Sequence, residues 1–188
     1  MKDNFFIVLL LFFQTLICSS CQQKRKSTSD DWKKYSSEII LNHIGKPIQW
    51  SDSIVSFTNS KYKIWNENDI VLLFNVDLDC STCLAKFYFW SKFSQDFKQK
   101  HKKDFKILAI INTYTTNNLQ NRVEQLWQHE WLYDLFYRFI DANKLNDERF
   151  QALLIDRNKE IILIGNPIQN IALKKLYEET IWKYIEKK

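Results

Sequence analysis

Cys80-Ser81-Thr82-Cys83 is the stretch of this chain whose residue types and spacing best suit covalent chemistry. Two thiols separated by two residues lie within bonding reach of one another, so the pair can close as a disulfide and reopen. The first thiol would attack a disulfide in another molecule. The second, Cys83, would then release Cys80 from the mixed disulfide by intramolecular exchange. The same pair could instead supply half of a zinc site, which needs two further ligands. His101 lies about 27 Å along the same helical pattern at 1.5 Å per residue, too far to help. His43 and His129 read as surface or packing residues, so no metal is expected.

The elements around the pair decide what it can do. Ile70 to Val76 is a run of strand formers leading into the cysteines. After them, Cys83, Phe87, Trp90, Phe93 and Phe97 recur at steps of three and four, which lays them along one face of a helix expected over Thr82–Lys100. The unpaired N–H groups and positive dipole end of a helix start would stabilise a thiolate on Cys80. Strand, CxxC and helix together point to redox use far more specifically than a bare CxxC does. Asp77 and Asp79 flank the site. They read either as a solvated turn or as charges that oppose the thiolate and make the dithiol more reducing.

Further strands are expected at Phe105–Asn112, at Phe136–Asp141, and in a hairpin of Leu153–Ile155 with Ile161–Ile164. A helix is marked by Leu119, Val123, Leu126 and Trp127, and another closes the chain from Ile171 to Ile185. Ahead of the core, Trp32, Tyr35, Ile39 and His43 have helical spacing, with Gly45 and Pro47 as a stop. Short β-like pieces follow at Ile48–Trp50, Ile54–Phe57 and Tyr62–Trp65. Alternating strands and helices define an α/β sandwich with a mixed central sheet, an N-terminal helix and a short β extension.

This strand–CxxC–helix, the following apolar strand and the late hairpin with its closing helix resemble the thioredoxin fold. More narrowly, they resemble the membrane-anchored thiol–disulfide oxidoreductases of the TlpA and ResA type, from about Ile44 to the C-terminus. The resemblance implies disulfide exchange with partner proteins, no cofactor, and electrons from a membrane thiol donor. Ser81 and Thr82 would tune the couple, and Phe150 and Ala152 would line the loop facing it. Counting back from the hairpin, Phe150 falls where the family places a cis-proline. A cis bond before any other residue costs about 2.5–4 kcal/mol, so a trans bond is expected there. The residues before Cys80 and the spacer also depart from the family's usual Trp and Pro.

The beginning of the chain bears on location. After Lys2, the apolar run Phe5–Ile17 is of signal-peptide length and short for a membrane span. It ends in Cys18-Ser19-Ser20-Cys21, which resembles a bacterial lipobox with Cys21 as the lipidated residue. An uncleaved anchor and an ordinary cleaved signal are the other readings. On the lipoprotein reading, residues 1–20 are the signal, 21–30 a polar tether and 31–188 one thioredoxin-like domain. In such an oxidising compartment, a disulfide closing so small a loop restrains the unfolded chain little, which favours redox over structural use. The formal net charge is +5, with lysine clusters at helix ends that read as solvated faces rather than as a nucleic-acid surface. With only Gly45 and Gly165, neither a phosphate-cradling loop nor a dinucleotide fingerprint is possible.

The expected protein is therefore an envelope thiol–disulfide oxidoreductase, a reductase of protein disulfides. The alternative is a non-catalytic binding or envelope-assembly module on the same fold.

Overall fold

The computed structural model describes residues 30–50, 54–55 and 70–186. The chain divides into two compact units, Met1–Asn42 and His43–Lys188. The described part of the first unit is helix α1, residues 30–43, whose last residue opens the second.

The second unit is built on a sheet of β1 (Ile54–Val55), β2 (Val71–Asp77), β3 (Lys106–Thr113), β4 (Glu130–Leu135), β5 (Ala152–Ile155) and β6 (Ile161–Ile164). Its strand order is β1-β4-β3-β2-β5-β6. The central strands β2, β3 and β4 run parallel. β1, β5 and β6 pair antiparallel with their neighbours. Strands buried on both faces need continuous apolar runs, and β2 and β3 supply them: Leu72, Leu73, Phe74, Val76, Leu108, Ile110 and Ile111 are at most 1% exposed.

Helix α2 (Ala85–His101) lays Phe87, Trp90, Phe93 and Phe97 on the sheet. There the Phe74 ring meets those of Phe87, Trp90 and Trp127 at 5.2–6.3 Å between centroids. Helix α3 (Leu119–Glu124) adds Leu119 and Val123. Helix α5 (Ile171–Glu186) adds Tyr177 and Ile181. The Tyr177 hydroxyl, fully buried, lies 2.9 Å from the Ala152 carbonyl oxygen and 3.0 Å from that of Gly165.

The short helix α4 (Arg138–Ala142) follows β4 and buries Phe139 and Ile140. Residues 45–48 run beside the start of β6, with Gly45 N–H donating to Ile161 and Ile48 N–H to Lys159. Among the described residues, no helix is long and apolar enough to cross a membrane.

Three expectations are corrected. The strand expected at Phe136–Asp141 is instead β4, at Glu130–Leu135, followed by α4. Its inward position is taken by Asp134, 0% exposed, whose Oδ2 accepts from the Phe139 N–H at 2.7 Å. A carboxylate at a core position breaks the apolar alternation by which a strand is recognised. Phe136 and Tyr137, with φ of 65° and 58°, then end the strand in left-handed backbone. The second correction is that α2 begins at Ala85 rather than Thr82, because residues 80–84 form turns with shorter hydrogen-bond steps. Third, Ile48–Trp50 is not a strand, although neighbouring Pro47 bridges to Glu160. Phe57 and Tyr62–Trp65 lie outside the described residues.

Candidate active site

The site begins where β2 runs out of partners. Leu78 N–H still reaches the Asn112 carbonyl at 3.1 Å, and Asp77 Oδ1 accepts from the Asp79 N–H at 2.9 Å, which turns the chain away from the sheet. Cys80 stands at this turn. The Cys83 N–H is 3.0 Å from the Cys80 carbonyl oxygen and 3.3 Å from its sulfur, and Lys86 N–H donates to the Cys83 carbonyl.

Cys80 and Cys83 are joined as a disulfide, their Cα atoms 5.2 Å apart. That separation is ordinary for a bridged pair. Both cysteines are half-buried, and Ser81 and Thr82 are exposed. Cys83 stands ahead of α2 rather than inside the helix. The Thr82 hydroxyl lies 3.2 Å from the Cys80 sulfur.

Charged groups surround the turn. Arg122 Nη2, reaching over from α3, donates to the Leu78 carbonyl at 3.1 Å and lies 3.7 Å from Asp79 Oδ1. Thr113 Oγ1 is 3.4 Å from Asp79 Oδ2. Burial, and next a hydrogen bond with Asp77, push the Tyr137 phenol well above its ordinary range. The ring of Tyr137 lies 5.0 Å from that of Tyr114.

In the loop before β5 and at the start of that strand, Phe150 and Ala152 are both buried. Phe150 closes a short 3-10 turn, Glu148–Phe150, is 6% exposed and donates its N–H to the Asp147 carbonyl. No cis peptide bond occurs among the described residues, so the bond ahead of Phe150 is trans. Ala152 is 2% exposed and starts β5 opposite Phe74. Between them Gln151 is half-buried, and its carbonyl oxygen accepts from the Asn75 N–H at 3.0 Å.

Lys86, on the sheet-facing side of α2, is 8% exposed. Its Nζ is 3.2 Å from the Asn75 carbonyl oxygen and 3.5 Å from Gln151 Oε1. Desolvation holds its pKa below the ordinary lysine value, partly offset by Glu148 and Asp77. The sequence reading missed Lys86, Gln151 and Arg122. A lysine three residues after Cys83, among the inward-facing Phe87 and Trp90, was the available signal for the first. The other two are joined to the site by contacts remote in sequence. Cys21 lies outside the described residues. Among the described residues, no group of three or more His, Cys, Asp or Glu side chains is arranged to hold a metal ion.

Neither a protein-family model nor a curated relative matches the chain. Solved structures do. A thioredoxin-like protein from Bacteroides caccae is 17% identical with a TM-score of 0.51, covering 84% of this chain and 56% of its own. The thioredoxin domain of a thiol-disulfide oxidoreductase from Bacteroides vulgatus is 16% identical with a TM-score of 0.46, covering 61% and 81%. A thiol:disulfide interchange protein from Bacteroides sp. is 16% identical with a TM-score of 0.43, covering 61% and 74%. The mixed sheet flanked by helices, with the CxxC between a central strand and its following helix, is the thioredoxin-like fold.

Proposed function

We propose that this chain is an envelope thiol–disulfide oxidoreductase that reduces disulfides in partner proteins. The observation that carries the reading is the half-exposed Cys80–Cys83 disulfide, set in the turn between β2 and α2. A disulfide in that place can be opened and re-formed without moving the sheet. Cys80 is the attacking thiolate and Cys83 the resolving thiol. The step conserves electrons: the dithiol becomes a disulfide as the partner's disulfide becomes two thiols.

Electrons return through a membrane thiol donor. Cys21 is the lipidated residue that holds the domain at the membrane, outside the cytoplasm.

A second reading, a non-catalytic binding or envelope-assembly module, is favoured by one observation. Phe150, where the family resemblance expects a cis-proline, is buried and follows a trans bond. The two readings separate in a turnover assay with dithiothreitol as electron donor and insulin as the test disulfide. The oxidoreductase accelerates insulin reduction at least about tenfold over dithiothreitol alone, and Cys80→Ser abolishes the acceleration. No acceleration by the wild type hands the fold to the binding-module reading.

A further inference from the structure

Lys86 is a buried cation, 8% exposed, with no ion-paired carboxylate among the described residues. Two neutral oxygens, the Asn75 carbonyl and Gln151 Oε1, receive its ammonium. Buried charges are ordinarily paired, because desolvation costs far more than neutral hydrogen bonds return. Among the described residues, Glu148 and Asp77 offset its desolvation only in part.

The missing anion is one that the site itself can make. Lys86 stands three residues after Cys83, and its N–H donates to the Cys83 carbonyl at 3.0 Å. We infer that Lys86 is the resident counter-ion of the reduced site, stabilising the thiolate that appears when the Cys80–Cys83 disulfide opens. The inference rests on the redox reading above and adds a residue to it. Lys86 acts through the thiolate and not on the substrate.

The reaction written with glutathione balances. The Cys80–Cys83 disulfide and two glutathione thiols give one thiolate and one thiol on the protein, glutathione disulfide and a released proton. The charged groups that act on Lys86 are Glu148 in the 3-10 turn before β5 and Asp77 at the end of β2. Asp79, Arg122 and Tyr137 bear on the cysteine turn itself. Asp77 and Asp79 oppose a thiolate, and Lys86 offsets them.

The test titrates the reduced protein by thiolate absorbance near 240 nm and equilibrates it with glutathione. In Lys86→Met the midpoint of the reactive thiol rises by about one pH unit, and the glutathione equilibrium moves several-fold toward the disulfide. Lys86→Arg restores part of both. The wild type gives an independent arm needing no substitution: near pH 7.5 its reduction by glutathione releases close to one proton per disulfide rather than none. A Lys86→Met midpoint unchanged within about 0.3 unit, or a wild type releasing no proton, overturns the inference. Failure of the insulin assay alone would sink the proposed function while leaving this titration readable.

Discussion

The Cys80 sulfur lies 3.2 Å from the Thr82 hydroxyl, inside the turn that also brings the Cys83 N–H to within 3.3 Å of it. Both groups can donate to a thiolate on Cys80, and a hydrogen bond to the charged form lowers a pKa. Thr82→Ala removes the hydroxyl and leaves the backbone donor. The expected result is a reactive-thiol midpoint higher by about half a unit to one unit, with Thr82→Ser close to wild type. A pH titration of alkylation rate measures it. Equal midpoints for Thr82→Ala and wild type would remove Thr82 from the site.

Tyr177 ties α5 to the sheet through the carbonyls of Ala152 and Gly165. Tyr177→Phe keeps the ring and loses both hydrogen bonds, though Ala152 retains the Gly165 N–H as a donor. The variant should be about 1–2 kcal/mol less stable in urea denaturation near neutral pH. Burial raises the Tyr177 pKa beyond the ordinary tyrosine range. Below about pH 10 both folded and unfolded chains keep the phenolic proton and the full contribution is present. Above it the unfolded chain ionises first, so stability falls as pH rises. That alkaline loss should be smaller in Tyr177→Phe. Identical alkaline slopes in the two proteins would contradict this account.

Cys21 is the residue on which the envelope reading depends. Cys21→Ala should release the protein from membranes or stall its processing, read by fractionation and by labelling with a radioactive fatty acid. Normal processing with unchanged membrane retention would rule out the lipid anchor.

The aromatic face of α2 was legible because one residue in three or four must point at the sheet, and Phe87, Trp90, Phe93 and Phe97 keep that period. β2, β3 and the β5–β6 hairpin were legible as apolar runs, with their ends moved by a residue or so. β4 was not, since Asp134 occupies a core position to accept the Phe139 N–H. At the site, Cys80 and Cys83 announced themselves through their spacing. Their surroundings did not. Gln151 reaches Asn75, and Arg122 reaches Leu78, across distances in sequence that no local pattern records. Lys86 shows why a single residue type can mislead: read alone it belongs on a solvated helix face, yet the helix period turns it inward.

The central claim is that Cys80 attacks and Cys83 resolves. Cys83→Ser leaves Cys80 able to attack and unable to be released, so partner proteins should remain attached as mixed disulfides. Phe150 stands, after a trans bond, where the resembled family places a cis-proline, so a partner's backbone is held less firmly and few adducts are expected. Non-reducing gels of cells expressing Cys83→Ser should show reductant-sensitive, higher-mass species absent from Cys80→Ser. Monomer alone in Cys83→Ser, with equal expression of both variants, would contradict the exchange mechanism.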